Sequence, residues 1–209
     1  MVDRLRRVTG WALLVAATVA LVGLAAEGRQ KVAVFVQAAA AVPTADLELV
    51  RNYASQRCAV VAGADVCAQG DLMLAQRVAN AFIGDSLTVE GLTRLSGALG
   101  ADYIVILRLV RWESEILYKP ERSLLLLGAT SFLDTSLQLL VSPLGLLFGI
   151  EKVATVGLLA SVFNARGDLQ FSTSVTAVDR PLLSLLTADP LEAAKEAVDS
   201  AFYQIAVAL

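Results

Sequence analysis

There is no histidine in this chain, and there are only two cysteines, five prolines and two methionines in 209 residues. Without imidazole, Ser-His-Asp and Cys-His nucleophilic sites are excluded, as is every zinc site built on histidine. Two thiols do not close a four-thiolate metal site. Charge is also scarce. Asp, Glu, Lys and Arg make up 18% of the chain, against about 25% in an average soluble domain. The basic excess typical of nucleic-acid binding is missing, since the formal net charge is −3. What is abundant is apolar. Hydrophobic residues reach 56% and mean hydropathy is +0.66, which is incompatible with disorder over most of the chain. The length suits one domain with additions.

The first additions are at the start. Arg4, Arg6 and Arg7 precede a charge-free run from Val8 to Ala26, and Glu27 and Arg29 restore polarity. A basic region, an apolar run and small residues (Gly23, Ala25) at its exit form the layout of a secretory signal. The run is also nearly long enough to span a bilayer, which takes about 20 residues. Residues 1–26 therefore read as a cleaved signal peptide or a membrane anchor. Either reading places 31–209 outside the cytoplasm, in the periplasm or cell envelope. No cysteine follows the run, so a lipid-modified N-terminus is not expected. In such a compartment a sparse, even cysteine count suggests a bridge. Cys58 and Cys67 flank Gly63, Ala64 and Asp65, and a turn there would let them meet as a disulfide.

Hydrophobic periodicity supplies the elements. Residues 31–37 form an apolar, β-branched run that reads as a buried strand. Thr44 is placed to cap a helix with Leu47, Val50 and Ala54 inward, and 58–62 reads as a second strand. Asp71 is expected to cap a helix burying Leu72, Ala75, Val78, Ala79 and Phe82. Another helix runs from Val89 to Leu99, with Val89, Leu92, Leu95 and Leu99 inward, and Gly100 ends it. Residues 103–112 read as a central strand that becomes half-exposed at Arg108 and Arg111. Residues 153–163 and 169–178 form a hairpin around Asn164-Ala-Arg-Gly-Asp168, with Phe171, Thr173, Val175 and Ala177 on one face of the second strand. Asp189-Pro-Leu-Glu192 opens a final helix with a cap and a capping box. Its stripe is Leu191, Ala194, Val198, Ala201, Phe202 and Ile205.

Residues 123–150 stand apart, carrying one charge, Asp134. Each charge-free half is too short to span a bilayer as a helix, so two short apolar helices in a hairpin are expected. An apolar surface of this size on a folded domain marks a contact site. The expected membrane or partner contacts are Leu124, Leu125, Leu126, Leu127, Phe132, Leu139, Leu140, Leu144, Leu147 and Phe148.

The step Leu99-Gly-Ala-Asp-Tyr-Ile-Val105, the Asn164-Ala-Arg-Gly167 turn, the strand at 31–37 and the closing helix together carry a resemblance. The chain resembles the exported α/β domains related to the N-terminal domain of TolB, the curli secretion lipoprotein CsgG and the lipoprotein activators of cell-wall synthases. The resemblance implies an envelope scaffold or assembly factor rather than a catalyst. The 123–150 stretch and the missing lipid-bearing cysteine depart from that pattern.

Catalytic signals are weak. No phosphate-binding fingerprint is present, because Gly91, Gly97 and Gly100 follow no strand at the right spacing. Glu113 and Glu115 lie two apart, as solvated strand-end charges do, and Arg108 and Arg111 read the same way. The expectation is a single exported α/β domain with a mixed sheet, a C-terminal hairpin flanked by helices, and an apolar helical insertion. It is a non-enzymatic envelope component with no cofactor, acting through envelope proteins, its own copies included, and through membrane. An exported carrier of lipid or a small apolar ligand is the alternative.

Overall fold

A computed structural model describes residues 29–83, 88–119, 150–181 and 188–208. Five strands form one mixed sheet: β1 (Lys31–Ala38), β2 (Asp65–Val66), β3 (Tyr103–Tyr118), β4 (Ile150–Asn164) and β5 (Leu169–Asp179). Their order is β2-β1-β3-β4-β5. β1 runs parallel to β2 and β3, while β3, β4 and β5 are successively antiparallel. The helices are α1 (Thr44–Val61), α2 (Gln69–Val78), α3 (Val89–Leu99) and α4 (Pro190–Ala208). The mixed α/β class expected from the sequence is the class found.

β1 is buried on both faces, which is why it is apolar at consecutive positions rather than alternating. On one face Val34, Leu107, Leu158 and Val175 meet Val50 and Ala54 of α1 and Val198 and Phe202 of α4. On the other, Ala33, Phe35 and Ile104 meet Leu72 and Ala75 of α2 and Leu92 and Leu95 of α3. The chain leaves β1 toward β2 through α1, then reverses past β1 to β3 through α2 and α3. With crossovers of one hand, reversing the direction of travel puts the second pair of helices on the opposite face.

Local chemistry explains the joints. Gly100 adopts φ 60 and ends α3, as a left-handed residue does after a helix. Ala101 is buried, and Asp102 clasps the start of β1, its carboxylate and backbone N–H both bonding the Lys31 backbone at 2.8 Å. The Leu99–Tyr103 step is thus a helix stop, a packed alanine and a strand clamp. At the hairpin turn Asn164 Oδ1 accepts from the N–H groups of Arg166 and Asp168. Gly167 sits at φ +82, and a Cβ there would lie 2.7 Å from the Val89 carbonyl oxygen, so the turn packs directly on α3.

Several expectations are corrected. Cys58–Val61 is the last turn of α1, not a strand, and Thr44 makes no side-chain cap there. α2 starts before Asp71, which lies in its first turn. Val78, Phe82 and Val89 face outward, 73%, 58% and 59% exposed. In α4, Asp189 Oδ1 does cap, accepting from the Leu191 N–H at 2.9 Å. The capping box does not form: the Asp189 N–H donates to Asp179 and Glu192 pairs with Lys195. Asp189→Ala is therefore expected to cost about 1 kcal/mol in urea unfolding, while Glu192→Ala, which breaks only an exposed pair, stays within about 0.5 kcal/mol. Equal losses would mean the box closes in solution.

Candidate functional site

The predicted bridge is corrected first. Cys58 and Cys67 are both free and buried. Cys58 packs in the cluster shared by α1 and α4, and Cys67 in the cluster beneath α2 and α3, so the sheet lies between them. Extending α1 through Cys58 removes the turn that would have brought them together. Burial pushes the Cys58 thiol up to about 12, and burial is also the main cause of the raised Cys67 value. Both are therefore protonated and poor nucleophiles at neutral pH. Alkylation of native, unreduced protein at pH 8 should be slow and should reach both thiols once urea is added. An intact mass two hydrogens below that of the reduced protein would overturn this. A thiol whose folded pKa is raised stabilises the fold fully below about pH 9, and that stability is lost as pH rises toward 12, by up to about 1.4 kcal/mol per unit.

The distinctive feature among the described residues is the β3–β4 ladder. β1 stops pairing with β3 at Leu109, and β5 stops pairing with β4 at Ala154. β3 and β4 continue together to Tyr118 opposite Ile150. The pairs from Glu115–Val153 to Tyr118–Ile150 thus belong to a two-stranded ribbon standing beyond the sheet, roughly 10 Å long at the usual rise per residue. Where it starts to emerge, the register shifts between Leu109 and Arg111. Val110 is the extra residue of a bulge, which bends the strand and increases its twist. Leu109 and Trp112, three residues apart, consequently reach the same core cluster. Gly157 faces the bulge, and a Cβ there would meet the Arg111 Cβ at 3.0 Å. A glycine is what lets the bulge close.

The ribbon's surface is mixed. Arg111 pairs with Glu113, and Glu113 and Glu115 are exposed, but they stand within β3, which runs on to Tyr118, rather than at the strand end expected from the sequence. Ile116 and Tyr118 are 71% and 57% exposed. At the tip Lys119 pairs with the buried Glu151. Residues 120–149 leave after Lys119 and return at Ile150, so the ends of the apolar segment are held side by side at the ribbon's tip. Ile150, counted with the insertion in the sequence reading, is the first residue of β4. Leu124–Leu127, Phe132, Asp134, Leu139, Leu140, Leu144, Leu147 and Phe148 lie outside the described residues, as do 1–26.

A second feature is a groove of about 310 Å³ between α3 and the sheet. Ile106, Arg108, Leu159 and Phe163 line it from the sheet, Val89 and Leu92 from α3, and Gly167 from the turn. Arg108, singled out in the sequence as a strand-end charge, is half-buried here. The rest of the groove is lined by apolar side chains together with Gln37 and Ser161. Sequence reasoning missed this groove, because β4 and α3 come together only through the sheet. Among the described residues no cluster of His, Cys, Asp and Glu is suited to a metal ion, and no helix is long and apolar enough to cross a membrane.

No family model matches the chain, and no curated protein does. Several solved structures are similar at low identity. Lipoprotein GNA1162 from Neisseria meningitidis is similar at 12% identity and TM-score 0.45, over 85% of this chain and 99% of that one. The PelC dodecamer from Paraburkholderia phytofirmans is similar at 14% identity and TM-score 0.39, over 83% and 84% of the two chains. The LpoB C-terminal domain from Salmonella enterica is similar at 10% identity and TM-score 0.39, over 76% and 90%.

Proposed function

We propose that this chain is an exported, non-enzymatic component of cell-envelope assembly that works by holding the 120–149 segment against membrane or a partner protein. The observation that supports the reading most is the ribbon. The sheet is complete without it, and it leads into a segment with three charges in thirty residues, Glu121, Arg122 and Asp134, and only Asp134 after Arg122. A two-stranded extension with exposed Ile116 and Tyr118 is marginal by itself in water, so its retention suggests a contact made at its end. Export rests on the arginine-led apolar run of residues 1–26. The carrier alternative would place an apolar ligand in the groove under α3. At about 310 Å³ that groove is at the bottom of the range for small-molecule sites, which favours the contact reading.

The test uses intact cells. A reporter fused after Gln30 should be active only outside the cytoplasm. The full chain should sediment with membranes, and crosslinkers placed at Tyr118 should capture lipid or one recurrent partner. A reporter active only inside, or a full chain that stays in the soluble fraction without crosslinks, would sink the proposal.

A further inference from the structure

The far edge of the sheet carries a second surface. β5 is the last strand in the order, and among the described residues its outer edge pairs with nothing. Natural edge strands are usually short, or carry lysine, proline or inward charge that prevents pairing. β5 is eleven residues long and reads Leu169-Gln-Phe-Ser-Thr-Ser-Val-Thr-Ala-Val-Asp179. From Leu169 to Val178 it contains no charge and no proline. Its one irregularity is the register shift near Gln170, at one end. The stretch from Phe171 to Ala177 is a regular strand whose outer edge pairs with none of the described residues.

We propose that two copies of this chain join along β5, antiparallel about a two-fold axis at Ser174, to make one continuous ten-stranded sheet. The occupant is argued from the strand's own complementarity. Side chains keep to their faces in an antiparallel pair only when the paired residue numbers sum to an even value, so the axis passes through a residue. With Ser174 on the axis, Phe171 of one copy lies opposite Ala177 of the other, a large side chain beside a small one on the helix-covered face. Ser172 lies opposite Thr176 on the polar face, a favourable cross-strand pair. The same register brings the Asp168 end of one strand beside the Arg180 end of the other, at both ends of the seam. Moving the axis to Val175 would instead set the Asp179 carboxylate against Phe171. The interface is isologous and closes at two copies, and the two ribbons lie on opposite sides of the axis. The seam uses nothing from 120–149, so its failure leaves the envelope proposal to its own test.

The experiment uses the full chain in detergent. Its protein mass, by analytical ultracentrifugation at tens of micromolar, should be that of two copies. Ser174→Cys places two thiols across the axis, with Cα atoms about 5 Å apart, within reach of a disulfide, so mild oxidation should give a covalent dimer. Ser172→Cys sets its two thiols about 14 Å apart and should not crosslink. Ser174 is exposed, so Ser174→Lys leaves the monomer folded by circular dichroism, sets like charges face to face and should halve the mass. Arg180→Asp should lower the dimer fraction, and adding Asp168→Arg should restore it. A single-copy mass for the wild type, equal crosslinking at 172 and 174, or an assembly indifferent to Ser174→Lys overturns the proposal.

Discussion

Phe202→Ala is expected to remove about 3–5 kcal/mol of unfolding free energy, the largest loss from any single substitution considered. Phe202 is 1% exposed and the largest of the fully buried side chains among the described residues. It projects from α4 into the cluster that Leu158, Val175 and Ala177 supply from the sheet and Val50 and Ala54 supply from α1. The remaining α4 contacts in that cluster are mostly alanines: Ala193, Ala194, Ala197 and Ala201. Small residues let the helix approach the sheet closely but leave little side chain to collapse into a void. The cavity term should therefore stay near its full size. Since a domain of this kind holds about 5–15 kcal/mol in total, the variant is expected to be close to unfolding at 37 °C. Urea titration should show a lower midpoint with an unchanged slope. Tyr203, the next residue, is 69% exposed, and Tyr203→Ala should change stability by less than about 0.5 kcal/mol. Similar losses at the two positions would mean α4 is rotated from the packing described.

Replacing 120–149 by a short Asn-Gly turn should leave a folded chain that no longer sediments with membranes. The paired residues Tyr118 and Ile150 lie about 5 Å apart at their Cα atoms, a gap that a tight hairpin turn closes. The described residues of both core clusters all come from strands and helices outside the deleted segment. Folding is therefore expected to survive, read as a cooperative melting transition with near-native secondary structure. Association should be lost entirely, read as movement of the chain to the soluble fraction. The cut must spare Ile150, because removing it would shorten the β4 ladder. If the deletion unfolds the domain, 120–149 belongs to the core and the envelope proposal loses its main support. If a folded deletion variant still sediments, the contact lies elsewhere on the chain.

Much of this fold was determined within short stretches of sequence. The bounds of α3, its stop at Gly100, the alternation along β5, the Asn164–Asp168 turn and the buried stripe of α4 all followed from spacing and caps. Those features depend on a residue's own backbone preference and on neighbours within one turn or one hairpin. The loss of charge over 123–150, broken only by Asp134, was equally plain. Tertiary structure decided the rest. Cys58 continues a helix rather than starting a strand because the α1 stripe of Val50 and Ala54 extends one turn further against the sheet, burying the thiol away from Cys67. The Asp189 N–H finds Asp179 rather than Glu192 because the end of β5 is brought to the start of α4. The bulge at Val110 appears only when Gly157, from another strand, lies opposite it. The ribbon itself exists because β1 and β5 end before β3 and β4 do. No strand encodes its partner's length, and that comparison is made only when the sheet assembles and burial selects one register for all five strands.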